Sequence, residues 1–236
     1  VVQLTVPGRD AVYVWVGRDA GGPPDPAVSL LRRAGSALLG RAGNELVLTH
    51  DAGGRPVVRV DERVNLPVSV SRCPGIVVVA VRLAGPVGVD VERIRPVPAL
   101  ALAGRWFAAA ELTWLAGRPE AERGVDFLRL WTAKEAVGKA LGLGLRDGGL
   151  RRLMPPPGLP LRPVPGDETL WVGHPELGGD LVAAVAVRAG TQVDVEVVQG
   201  AGHGVAADRS ASVERTSLPV VVRGNWSSSR STRGRL

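Results

Sequence analysis

The sequence predicts an α+β fold made of two halves of similar build. Three observations carry this. Short runs with period-two alternation crowd residues 11–92. Helical spacing takes over from 98 to 142. Short alternating runs then return between 169 and 198.

In order, AVYVWV (11–16) alternates as a strand, and residues 26–43 place Leu30, Leu31, Ala34, Leu38 and Leu39 on one side of a helix. Residues 45–60 read as two strands around a Gly-Gly turn. LPVSVS, GIVVVAVRL and PVGVDVE (66–92) give three further strands. The character changes at Pro96, after which the helical stretch holds both phenylalanines and three of the six tryptophans. A Pro/Gly-rich loop, MPPPGLP, precedes the strands TLWVG, DLVAAVAV and TQVDVEVV. These patterns divide the chain into halves at 1–95 and 96–200. Residues 201–236 form a basic Ser/Arg-rich tail, expected to be disordered apart from an apolar SLPVVV.

Composition narrows the function. A length of 236 residues with 45% hydrophobic and 22% charged residues allows a folded core. One cysteine, Cys73, excludes an internal disulfide framework and any CxxC metal site. Three scattered histidines, His50, His174 and His203, argue against a His-based zinc centre or a Ser-His-Asp triad. No apolar run approaches the ~20 residues that span a bilayer. The start, VVQLTVPGRD, lacks a secretory pattern, so the expected location is the cytoplasm and the expected state a monomer away from membranes. The net charge of +6 suggests nucleic acid, yet six arginines against Asp208 and Glu214 put +4 of it in the tail. A nucleic-acid-binding protein using that tail without sequence preference is therefore the alternative reading.

Two motifs carry chemistry. In PVGVDVE, valines 87, 89 and 91 alternate with Gly88, Asp90 and Glu92, so the valines enter the core and both carboxylates project together. Adjacent carboxylates repel, and hard oxygen donors favour Mg²⁺ shared with substrate phosphates. An ordinary solvent-facing strand shows the same alternation. The second motif, WTAKEAVGKALG (131–142), holds Lys134 and Lys139, the only lysines beside 27 arginines. Phe127, Leu130, Ala133, Val137 and Leu141 form its core stripe, with Glu135 and Lys139 on the polar face at i,i+4. Arginine serves a surface ion pair equally well, so the lysines point to a compact cation in a crowded site. Gly138 interrupts the helix interior, which suits close approach of a ligand, although in a chain with 31 glycines it says little.

GVDVE, WFAAAE and WTAKEAVGKALGLGL at this spacing resemble the 4′-phosphopantetheinyl transferases, in the larger single-chain class that activates nonribosomal peptide and polyketide synthases. The resemblance covers roughly residues 11–200. GRPVV (54–58) and SVSRCPG (69–75) stand where that family has GKPY-like and N-x-SHS-like elements. The resemblance implies a pseudo-twofold α+β fold with coenzyme A as co-substrate between the halves. It implies Mg²⁺ on Asp90, Glu92 and Glu135, and Glu135 as the base for a serine hydroxyl of an apo acyl or peptidyl carrier protein with an acidic surface. Lys139 would meet the charge of departing 3′,5′-ADP, and Arg55, Ser71 and Arg72 would bind the coenzyme. Arg72 stands where the family has histidine. Glu111 in WFAAAE either supports the site or braces a helix. A catalytically dead relative is a further alternative, which Asp90, Glu92, Glu135 and Lys139 argue against.

Overall fold

The computed structural model describes residues 11–19, 21–51, 54–59, 65–146, 148–158, 160–189, 193–199 and 220–222. The first alternating run forms β1, Ala11–Arg18. The first helical pattern forms α1, Pro26–Leu39, for local reasons. Asp25 accepts the Ala27 amide at 2.8 Å as the N-cap, Pro26 supplies a preset φ, and Gly40 ends the helix at φ +64°. Then come β2 (Val47–His50), β3 (Pro56–Arg59), β4 (Asn65–Cys73), β5 (Ile76–Arg82) and β6 (Val87–Arg93).

The helical stretch divides into α2 (Ala99–Trp106), α3 (Ala109–Ala116) and α4 (Glu120–Leu141). The later strands are β7 (Arg162–Val164), β8 (Asp167–Gly173), β9 (Leu181–Arg188) and β10 (Asp194–Gln199). A short β11, Val220–Val222, falls within SLPVVV and pairs antiparallel with β10. The disorder expected of the tail otherwise falls on residues outside the described ones. Among the described residues no helix is long and apolar enough to cross a membrane.

The α+β class is as expected, but the sheets do not follow the 1–95 and 96–200 division. One sheet runs β11-β10-β1-β5-β4-β3-β2 and the other β6-β9-β8-β7. Thus β6, from the first stretch, opens the second sheet, while β10 returns to lie parallel to β1 in the first. Pairings this distant in sequence leave no local trace, because alternation fixes which way a side chain faces and not which strand lies alongside.

Alternation does account for the layers. Tyr13, Trp15, Val77 and Val79 face α1 and pack with Leu30, Leu31 and Ala34. On the opposite face, Val12, Val14, Val78 and Ala80 meet Val89, Val91, Val185 and Val187 of the second sheet. The far face of that sheet, with Val182, Ala184 and Ala186, is covered by Phe127, Leu130, Ala133 and Val137. Helix, sheet, sheet and helices therefore stack around three apolar interfaces.

β6 is an edge strand, so part of its backbone lacks a ladder partner. Two hydroxyls of β4 answer that need: Ser69 Oγ accepts the Val89 amide at 3.1 Å and Ser71 Oγ the Val91 amide at 3.3 Å. Gly88 brings α4 close on the other side. A Cβ there would lie 1.9 Å from the Ala136 carbonyl oxygen and 2.7 Å from the Ala140 nitrogen. β4, β6 and α4 meet in this way at one place, and the candidate site lies there.

Candidate functional site

The face of β6 turned toward α4 presents Gly88, Asp90 and Glu92. Asp90 is buried and Glu92 half-buried, while valines 87, 89 and 91 are buried on the other face. The expected split of this strand is what the structure contains. Asp90 and Glu92 line a cleft of about 470 Å³ with Ser71, Arg72, Trp131, Glu135 and Lys139. Six of the eight candidate site residues (Ser71, Arg72, Asp90, Glu92, Glu135 and Lys139) thus share one cavity. Arg55 lines an adjoining cleft of about 340 Å³ with Arg146, and Lys139 borders both. Arg55 Nε donates to Asp51 Oδ2 at 2.8 Å. The eighth, Glu111, lies elsewhere. A larger cavity of about 640 Å³ continues past Arg55 between the β2–β3 hairpin and Gly85–Val87.

Lys139 does not close the expected i,i+4 pair with Glu135. Its ammonium donates to Asp90 Oδ1 at 2.8 Å and to the Val89 carbonyl at 3.0 Å. Asp90 Oδ1 also accepts the Ser71 hydroxyl at 2.7 Å, so Ser71 positions Asp90 while capping the β6 edge. Glu92 is held by Arg95, with 2.7 Å between Oε2 and Nη1. Glu135 is held above the ordinary carboxylate range, first by burial and then by Asp90, with Glu92 adding and Lys139 opposing. Three carboxylates thus act electrostatically on one small space, and one of them favours its protonated form more than a free glutamate does.

These donors suit a hard divalent cation in kind, since all are carboxylate oxygens and their repulsion is what such an ion relieves. Their spacing does not by itself form a ligand shell: among the described residues no three Asp, Glu, His or Cys side chains stand close enough to hold a metal. Asp90 Oδ1 and Glu92 Oε2 are engaged by Lys139 and Arg95 instead.

The other lysine has a different place. Lys134 is 1% exposed. Its Nζ donates to both oxygens of Glu111, at 2.8 and 2.7 Å, and to the Arg152 carbonyl at 2.5 Å, with the Phe107 ring 4.7 Å away. Glu111 in turn accepts the amides of Met154 (3.0 Å) and Ala108 (3.3 Å). Burial draws the Lys134 pKa down while Glu111 opposes it. Glu111 therefore braces α3, α4 and the loop at 152–154. Of its two sequence readings, the brace is the one observed.

At Gly138 it is the chain's own backbone, and not a ligand, that comes close. A Cβ there would lie 2.1 Å from the Gly144 carbonyl, because the chain after α4 folds back over it, with the Leu143 and Gly144 amides on the Gly138 carbonyl. Arg146, Trp131 and Ser69 were not singled out in the sequence. Ser69 shared the alternation of SVS with Ser71, which was the available clue.

An α+β protein with carboxylates, a lysine and arginines around one cleft has the equipment of phosphate chemistry. Comparison with known proteins points the same way. The 4′-phosphopantetheinyl transferase superfamily model matches residues 86–156, which contain Asp90, Glu92, Glu111, Glu135 and Lys139. The chain is 35% identical over 104 residues to 4′-phosphopantetheinyl transferase psf-1 of Bacillus pumilus, covering 44% of this chain and 43% of the relative. It is 33% identical over 131 residues to putative 4′-phosphopantetheinyl transferase slr0495 of Synechocystis sp., covering 54% and 53%. Identity to 4′-phosphopantetheinyl transferase HetI of Nostoc sp. is 30% over 119 residues, covering 49% and 50%. The matches span about half the length of these relatives, and over that span the resemblance to 4′-phosphopantetheinyl transferases holds.

Proposed function

We propose that the chain transfers the 4′-phosphopantetheine group of coenzyme A to a serine hydroxyl of an apo acyl or peptidyl carrier protein. The carriers are those of nonribosomal peptide and polyketide synthases, and the reaction takes place in the cytoplasm. The observation that carries this reading is the convergence of Asp90, Glu92, Glu135 and Lys139 on one cleft within the segment that matches the family.

In this reading Asp90, Glu92 and Glu135 would hold Mg²⁺, as donors of the right kind that are not gathered into a ligand shell without it. The ion supplies neutralisation of diphosphate charge, which is the main demand of phosphoryl-type transfer. Glu135, which lines the same cleft as Lys139, takes the proton of the attacking serine. The serine oxygen forms its bond to the β-phosphorus as the bond from that phosphorus to the bridging diphosphate oxygen breaks, and 3′,5′-ADP departs. Lys139, already anchored on Asp90 and the Val89 carbonyl, presents a compact cation to the leaving oxygen. Arg55 and Arg72 serve as phosphate ligands, and Ser71 acts on the coenzyme through Asp90. An acidic carrier surface would complement the net charge of +6.

A pseudo-twofold relation belongs to the same reading. It is supported by the matching strand orders β1-β5-β4-β3 and β6-β9-β8-β7, each opened by a strand that leads toward a helix. Incubation with coenzyme A, Mg²⁺ and several apo carriers, followed by mass spectrometry, tests the activity. The expected result is one phosphopantetheine gained per carrier with release of 3′,5′-ADP. Unchanged masses across the carriers, with coenzyme A intact, would refute it.

A further inference from the structure

Arg72 follows Ser71 on β4 and lines the cleft of Asp90, Glu135 and Lys139. Its guanidinium is already engaged there. Nη2 donates to Asp25 Oδ1 at 2.5 Å, and Nε stands 3.4 Å from Asp19 Oδ2. Nε and Nη2 together form one edge of the guanidinium, the kind of edge that grips a phosphate through two parallel hydrogen bonds. Here the edge is divided between two carboxylates of the β1–α1 connection.

Both carboxylates are placed by the backbone. Asp25 Oδ1 also accepts the Ala27 amide as the N-cap of α1. Asp19 follows the last residue of β1, with its amide on the Gly75 carbonyl at 2.9 Å and its Oδ1 on the Gly21 amide at 3.2 Å. A strand end and a helix start thus hold two negative charges against one arginine. Water still reaches all three, with side-chain exposures of 43% for Arg72, 21% for Asp19 and 51% for Asp25. Exposed ion pairs of this kind are weak. They are suited to exchange for a stronger anion.

We infer that Asp19 and Asp25 are built-in competitors for Arg72, so that a phosphate of the coenzyme gains the guanidinium edge only by displacing them. The two aspartates thereby set how tightly the cleft holds a nucleotide, and they favour release of the leaving product as much as they weaken its capture. This inference rests on the reading of the cleft as a coenzyme A site.

The probe is 3′,5′-ADP, titrated calorimetrically into the full chain at fixed Mg²⁺ and ionic strength. Asp25→Asn keeps an oxygen for the Ala27 amide and removes the charge. It should bind the probe about 2- to 5-fold more tightly, the worth of one exposed ion pair. Asp25→Ser, another capping residue, should do the same, and adding Asp19→Asn should increase the gain. Arg72→Gln should bind more weakly, and in that background Asp25→Asn should bring no gain. A gain that survives without Arg72 is a general charge effect and overturns the inference, as does an Asp25→Asn that binds like the parent. A parent chain that does not bind 3′,5′-ADP overturns the coenzyme reading itself, and this inference with it.

Discussion

Five residues apart on α4, two lysines meet two carboxylates in opposite ways. Lys134 and Glu111 are sealed from water, and all three ammonium donors find acceptors on Glu111 and the Arg152 carbonyl. Lys139 uses two donors, on Asp90 and the Val89 carbonyl, at the wall of an open cleft. A buried pair with every valence used can change little without damage, so its role is structural. An ion pair with capacity to spare beside a carboxylate of raised proton affinity is where a ligand can be answered. The lysines that stand out in an arginine-rich chain therefore have two different explanations. One fills a hole with room for an ammonium group, and the other lines a cleft.

Substitutions should separate the pairs, and the largest effect is expected at the sealed one. Removing one partner by Glu111→Ala or Lys134→Ala leaves an unpaired buried charge, for a loss of ~3–5 kcal/mol in urea unfolding. The double substitution Glu111→Gln with Lys134→Met should recover much of that loss. If either single variant unfolds like the parent, the pair is not the brace described here.

At the open pair the loss should appear in rate. Asp90→Asn and Glu135→Gln should each lower the proposed transfer by ~10²–10³ while the chain stays folded, the usual effect of removing a principal charge-stabilising contact. Near-parental turnover at saturating Mg²⁺ would remove those residues from the site. Arginine substitutions sharpen the contrast further. Lys139→Arg should cost about 10-fold in kcat, or about 1.4 kcal/mol, with stability near the parent. Lys134→Arg forces a wider group into a sealed space and should instead cost ~1–3 kcal/mol of stability. Identical profiles for the two variants would erase the distinction between the lysines.

The smallest expected effect concerns pH. His174 Nε2 lies 2.8 Å from the Arg129 carbonyl and Nδ1 accepts the Gly158 amide at 3.2 Å, an arrangement that suits the neutral ring. Burial holds this imidazole below its ordinary 6.5. Its folded pKa is depressed, so between that value and 6.5 the unfolded chain binds more protons. The stability it contributes is present above 6.5 and is lost as pH falls toward the folded value. Thermal unfolding from pH 7.5 to 5 should show this slope, reduced in His174→Gln; equal slopes would assign the acid sensitivity elsewhere.

Much of this was legible in the chain. Alternation placed Asp90 and Glu92 on the face opposite the valines, and the scarcity of lysine marked the helix that lines the cleft. What stayed hidden depended on distant partners. The burial of Lys134 left no local sign, because the Arg152 carbonyl and Glu111 that take its ammonium lie 18 and 23 residues away. Arg72 looked available because Asp19 and Asp25 reach it from the far end of the first sheet's helix connection. The pairing of β10 with β1 joins residues about 180 apart, and no local period encodes that.

Gly88 gives the cleft its gauge. The carbonyl of Ala136 rests where a methyl group would be, so β6 and α4 bear on each other backbone to backbone. Side chains in a core can re-pack and absorb a change, but two backbones in contact have no such slack. The span from Asp90 to Glu135 and Lys139 is therefore machined into the main chain, and repacking elsewhere in the core has little purchase on it. A single added carbon at Gly88 would act as a shim, lifting the helix away from the strand and opening the jaws of the site without touching any residue that lines them.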